Sequence, residues 1–203
     1  MKNIAVLLSG RGSNFKAIYN SIEAGYIVNA RIKAVVSNKA EAPGLQFAKD
    51  RCLSSYFVNP SEFESRTAYD TEIIDILKSK GIDLVCLAGY MRLLSAKFVD
   101  TFKNRIMNIH PSLLPAFPGL NAQKQALEYG VKISGCTVHF VDKELDHGPI
   151  ILQKAVEIKG NDTVKDVSER ILIEEHKIYP EAVRLFVENR LTVNNRKVSI
   201  DYS

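Results

Sequence analysis

Two periodicities alternate along the chain. Ile4-Ala5-Val6-Leu7-Leu8 is a continuous apolar run of strand length, the signature of a strand buried on both faces. From 14 to 24 the apolar residues Phe15, Ile18 and Ile22 recur at three- and four-residue steps, which predicts a helix. The pattern repeats: strand over 32–37, helix over 43–51, strand over 54–58. A long helix is predicted to open at Ser61, where Ser61 and Glu64 have the spacing of a capping box. Phe63, Ile73, Ile74 and Leu77 give its apolar stripe, and Gly81 ends it. Two more strands are predicted over 84–88 and 105–109.

Strands alternating with helices predict an α/β fold: an open, mostly parallel twisted sheet with helices on both faces and right-handed crossovers. After Gly135 the period changes. Cys136, Val138 and Phe140 alternate with Thr137, His139 and Val141, and a further strand spans 150–158. This predicts an antiparallel C-terminal extension of the sheet. A helix over 163–189 is expected to kink or divide at Pro180. Weak alternation over 191–203 suggests a terminal strand pair.

Composition narrows the class. A chain of 203 residues that is 46% apolar suits one domain with a substantial core. The net charge of +4 is too small to argue for nucleic acid by itself, and the longest apolar runs are too short to span a bilayer. The N-terminus enters a strand-like run without a secretory h-region. Cys52, Cys86 and Cys136 are odd in number, and no CxxC occurs. Neither a disulfide framework nor a zinc site is supported, and a reducing, cytoplasmic location is expected.

Open parallel sheets bind ligands beyond the carboxyl ends of their strands, and three polar segments converge there. Gly10-Arg11-Gly12-Ser13-Asn14 joins the first strand to its helix. Such a turn is either an ordinary N-capped helix start, with Ser13 or Asn14 as the cap, or an anion site built from backbone N–H groups. Phe15 stands where a dinucleotide fingerprint needs its third glycine, so a lone phosphate fits better. Asn108 and His110 stand two residues apart, so their side chains leave one face of an extended segment, and Pro111 and Pro115 stiffen the chain beyond them. Taken alone, His110 reads as a structural histidine. Beside Asn108 the pair supplies an amide donor and an acid/base group for one substrate atom. Asp146 lies in a turn, where solvation or backbone capping is the usual role; paired with His110 it would stabilise the imidazolium. His139 points from a strand and suits either core or site, whereas His176 reads as structural. Leu87-Ala88-Gly89-Tyr90-Met91-Arg92-Leu93-Leu94 reads first as a strand leaving the core; it could also seat a flat heteroaromatic ring.

Taken together these segments resemble the phosphoribosylglycinamide formyltransferase family. The resemblance rests on Leu8-Ser9-Gly10-Arg11-Gly12-Ser13-Asn14, Val36-Ser37-Asn38-Lys39, the segment 87–92, Asn108-Ile109-His110-Pro111-Ser112-Leu113-Leu114-Pro115, Pro118-Gly119-Leu120, Gln125-Ala126-Leu127-Glu128 and Glu144-Leu145-Asp146-His147-Gly148-Pro149-Ile150. It covers roughly residues 2 to 190. It implies a Rossmann-like formyltransferase fold and transfer of a formyl group from 10-formyltetrahydrofolate to the amine of glycinamide ribonucleotide in purine synthesis, without metal. Catalysis would fall to Asn108, His110 and Asp146. The resemblance implies that Gly12, Ser13 and Asn14 hold the substrate phosphate and that Glu175 lies near the ribonucleotide. Met91, Arg92, Leu93 and Leu94, with Asn108 and the loop Asp142, Lys143, Glu144, Leu145 and Asp146, would enclose the pterin. Arg66 would meet the folate's acidic end. His147 departs from the glycine familiar at its position and would add a charge beside Asp146. Residues 1–105 would be mainly the substrate-phosphate half of one domain, 106–190 the catalytic and folate-loop half, and 191–203 a tail. The expected partners are small molecules, with no nucleic acid or membrane, and the chain a monomer or homodimer. Two rivals remain: formylation of methionyl-tRNA, and a folate- or nucleotide-binding module without catalysis.

Overall fold

The computed structural model describes residues 1–202, so Ser203, the end of the expected terminal pair, lies outside the described residues. Among the described residues nine strands form one sheet: β1 (Lys2–Leu8), β2 (Ala30–Ser37), β3 (Ser55–Phe57), β4 (Leu84–Leu87), β5 (Ile106–His110), β6 (Ile133–Phe140), β7 (Ile150–Glu157), β8 (Leu191–Asn194) and β9 (Lys197–Ile200). Their spatial order is β3-β2-β1-β4-β5-β6-β7-β9-β8. From β3 to β5 every pairing is parallel; β6 and β7 then add antiparallel, as the change of period after Gly135 predicts. The terminal pair β8–β9 joins through a parallel contact of Lys197 with Ile150.

The helices are α1 (Ser13–Glu23), α2 (Pro43–Asp50), α3 (Arg66–Ser79), α4 (Ala96–Thr101), α5 (Ala122–Tyr129) and α6 (Val164–Val187). The run in β1 serves two cores because successive strand residues face opposite sides. Ile4, Val6 and Leu8 pack with Phe15 and Ile18 of α1 and with Tyr179 and Val183 of α6. Ala5 and Leu7 pack on the other face with Tyr69 and Ile73 of α3 and Phe98 of α4.

Three local expectations are corrected. Ser61 lies in a single 3₁₀ turn over Pro60–Glu62 that Asn59 caps, so Ser61 and Glu64 form no capping box. Helix α3 begins at Arg66, and its cap is Ser65, whose Oγ accepts from the Ala68 N–H at 3.1 Å. Pro60 favours the start of its own turn, Phe63 is extended, and its ring packs edge-on against Tyr69 instead of lying on the helix. Neither Ser13 nor Asn14 caps α1: the N-cap is Gly12 at φ 64°, ψ 37°, a left-handed conformation that glycine adopts at least cost. Pro180 does not divide α6, which runs continuously over 24 residues. Both sides of the proline are buried against the sheet, and that packing outweighs the lost hydrogen bond.

The strand order reverses between β1 and β4, one leading out to β2 and the other to β5. A crevice opens at the carboxyl ends of strands flanking such a reversal. Here the Ser9 N–H donates to the Gly89 carbonyl at 3.1 Å, and the Met91 N–H to Ser9 Oγ at 2.9 Å. The first loop and the segment after β4 are thereby held together.

Candidate active site

Asn108 and His110 sit on β5, which ends at His110, and both leave the same face. His110 is buried, and its Nδ1 lies 3.3 Å from Asp146 Oδ2. Its Nε2 is 2.8 Å from the Phe117 carbonyl. Both neighbours are acceptors, which suits an imidazolium with a proton on each nitrogen. Asp146 reaches this position from the loop between β6 and β7. Its backbone is left-handed, at φ 50°, and its Oδ2 also accepts from the Gly119 N–H at 2.8 Å.

His139, left open by its sequence context, belongs to the site. It lies opposite Asn108 in the β5–β6 register. Its Nδ1 donates to the Phe140 carbonyl at 2.8 Å, which leaves Nε2 as an acceptor, and Asn108 Nδ2 donates to it at 3.2 Å. Burial pushes the imidazole's pKa down, so the ring is neutral. The 3.9 Å approach of Nε2 to Asp146 Oδ1 is therefore no ion pair. The ring fixes which way the Asn108 amide points and leaves its second N–H free of this contact. No spacing rule would have found this. The partner is set by cross-strand register between residues 31 positions apart.

The first loop brings a second group. Asn14 is buried in the first turn of α1, and its Nδ2 donates to Glu175 Oε2 of α6 at 2.7 Å. Glu175 is buried too, and desolvation raises its pKa, opposed by this hydrogen bond. Asn14 Oδ1 is buried without a hydrogen-bond partner among the described residues, an atom that awaits a donor. Gly12 is packed against Gly44 and Leu8, so a side chain there would meet both strain and crowding.

Beyond β4 the apolar side chains of Met91 and Leu93 are exposed, as is Leu145 of the Asp146 loop. Arg92 lies with its guanidinium 4.7 Å from the Tyr69 ring centroid and its Nε buried without a partner. Exposed apolar side chains beside an orphan donor suit a flat heterocycle that presents acceptors. Asp142 and His147 pair at 2.8 Å, and Lys143 reaches Asp100 at 2.9 Å. His147 is thus engaged with Asp142, in a pair at the root of the loop. Arg66 is exposed at the start of α3, on the carboxyl-edge side of the sheet.

This geometry has close counterparts. Residues 2–183 match the formyl transferase family. The phosphoribosylglycinamide formyltransferase of Escherichia coli (strain K12) is 43% identical over 199 residues, which cover 98% of this chain and 93% of that protein. The chain belongs to the phosphoribosylglycinamide formyltransferase family. The crystal structure of glycinamide ribonucleotide transformylase 1 from Symbiobacterium toebii superposes with a TM-score of 0.96 at 52% identity, covering 98% of this chain and 94% of that one. The trifunctional purine biosynthetic protein adenosine-3 of Bos taurus is 45% identical over 195 residues. This chain spans only 19% of that longer protein. The fold is the one the family resemblance implied. Among the described residues no cluster of three or more His, Cys, Asp or Glu is placed to hold a metal ion, and no helix is long and apolar enough to cross a membrane.

Proposed function

We propose that this protein transfers the formyl group of 10-formyltetrahydrofolate to the amine of glycinamide ribonucleotide, with Asn108, His110 and Asp146 as its catalytic residues. The observation that carries the reading is the meeting of these three polar groups at the carboxyl edge of the sheet, beside the Gly12 loop.

The phosphate lies on the N–H groups of Gly12, Ser13 and Asn14, where the α1 dipole favours an anion. Glu175 stands next to Asn14 and accepts from the amine side of the ribonucleotide. The pterin lies on Met91, Arg92, Leu93 and Leu94 and is covered by Asp142, Lys143, Glu144, Leu145 and Asp146; Arg66 meets the acidic tail of the folate.

In the reaction the neutral amine attacks the formyl carbon, and a C–N bond forms. The carbonyl oxygen becomes an oxyanion that the free N–H of Asn108 stabilises directly. His110 joins once the Phe117 carbonyl yields its place on Nε2 to that oxygen. Asp146 holds the imidazolium through Nδ1 and takes the proton lost by the amine, by way of water, toward the folate nitrogen. The bond from carbon to that nitrogen then breaks, giving formylglycinamide ribonucleotide and tetrahydrofolate. The proposed partners are these two small molecules alone, and the proposed compartment is the cytoplasm.

The test is turnover of the purified protein with 10-formyltetrahydrofolate and either glycinamide ribonucleotide or methionyl-tRNA. Formylation of the ribonucleotide is expected. Formylation of the tRNA alone, or folate binding without transfer to either acceptor, overturns the reading.

A further inference from the structure

The tip of the C-terminal hairpin touches the loop that carries Asp146. The root of the hairpin is fixed, because Leu191, Val193 and Val198 pack against the core that β1 shares with α6. Lys197 pairs with Ile150, just beyond the end of the loop. From the intervening turn Arg196 projects onto His147. Its NH2 donates to the His147 carbonyl at 2.8 Å, and its NH1 packs against the imidazole, 2.7 Å from Nε2 and 3.0 Å from Nδ1. Nδ1 also faces Asp142 Oδ2 at 2.8 Å. A carboxylate only accepts, so Nδ1 carries the proton.

The mouth of this loop is closed independently. The Phe140 N–H donates to the Pro149 carbonyl at 2.8 Å, and Gly148 packs so tightly on Phe140 that no Cβ fits. Between these points Asp146 keeps its left-handed backbone at φ 50°. A non-glycine residue holds such a conformation where its surroundings over-determine it. The next carbonyl along the chain is the one that Arg196 grips. On the outer side Lys143 to Asp100 is an exposed ion pair and fixes little, while on the inner side Asp146 Oδ2 accepts from the Gly119 N–H. A guanidinium offers two donors in a rigid fork, and here they engage backbone and ring together.

We propose that Arg196 is a positioning residue for formyl transfer: its hold on the carbonyl and ring of His147 fixes the 142–146 loop over the folate and sets the backbone of Asp146. This rests on the assignment of that loop to the folate. The test compares Arg196→Ala, Arg196→Lys and His147→Gly in steady-state kinetics, with Asp146→Asn in parallel. Because the contacts are exposed, Arg196→Ala raises KM for 10-formyltetrahydrofolate by about fivefold. kcat falls by less than that factor, and KM for the ribonucleotide and the thermal midpoint stay as they were. Lysine recovers part of the loss, since an ammonium keeps one of the two contacts. His147→Gly, which spares the carbonyl, has the smaller effect. An unchanged folate KM in Arg196→Ala overturns the inference, as does an equal rise for both substrates that lysine does not relieve. Turnover that survives Asp146→Asn overturns the reading of the site, and the inference falls with it. Turnover lost there with an unchanged Arg196→Ala KM overturns this inference alone.

Discussion

Asn108 is the polar group least replaceable by its surroundings. In the proposed reaction its second N–H meets the substrate, because His139, a neutral acceptor, occupies the other. Removing a single oxyanion donor typically costs about 2.7–4 kcal/mol of transition-state stabilisation. Asn108→Ala and Asp146→Ala are each expected to lower kcat by at least about 100-fold, measured with both substrates saturating. Glu175 behaves differently. Its folded pKa is raised because burial disfavours the carboxylate, so the native state holds the proton longer than the unfolded chain. Stability therefore falls as pH rises from the ordinary carboxylate range through the folded value. Glu175→Gln keeps an acceptor for Asn14 and removes that penalty. Its thermal midpoint at neutral pH should exceed the parent's, the gap closing below about pH 4.3, while KM for the ribonucleotide rises. A midpoint equal to the parent's at every pH would contradict this.

Elements in this protein are held by a few close approaches and end contacts. Gly135 of β6 lies so near the Lys154 carbonyl of β7 that a Cβ would overlap it. Since the obstacle is paired backbone, it cannot rotate away. Gly135→Ala should cost about 1–3 kcal/mol or more in denaturant unfolding, the range for overpacking, by prying the two strands apart. The turn before α6 has a charged brace. Arg170 donates to both oxygens of Asp162, at 2.7 and 2.9 Å, and these bonds hold the carboxyl well down, to about 2. A depressed folded value means that this stability is present above the usual aspartate range and is lost as pH falls toward 2. Asp162→Asn should unfold more readily than the parent at pH 5, and the two should converge as acid is added. The same turn illustrates what sequence can say about helix ends. Thr163 and Asp166 form a reciprocal capping box, whereas the similar spacing of Ser61 and Glu64 forms none. The rival at Ser65, and the freedom of Phe63 to leave the helix for Tyr69, decided between them.

One sheet runs through the two halves and the tail, and β5 connects them: it pairs with β4 of the first half and β6 of the second. The core that β1 shares with α6 draws residues from both halves. Far-ultraviolet and near-ultraviolet signals should therefore lose structure in one coincident transition. Two separated transitions would show that the halves fold independently. The proposed catalytic trio needs this continuity, since Asn108 and His110 come from β5 and Asp146 from the loop that β6 and β7 present.

The order of strands and helices was legible from residue pattern because burial imposes a fixed period on each element. The run in β1 and the alternation after Gly135 left little freedom. The candidates Asn108, His110 and Asp146 could be picked out as well, because they stand in recognisable local contexts. Short elements such as α4 and α5 were not, since one or two turns give too few repeats to reveal a period. Nor were the contacts that orient the site. His139 meets Asn108 through strand register, the Phe117 carbonyl meets His110 through a loop, Glu175 meets Asn14 from 161 positions away, and Arg196 reaches His147 from the last hairpin. Local pattern encodes how a segment buries its own apolar face. Which polar atoms then face one another depends on how distant segments pack, and only the assembled sheet decides that.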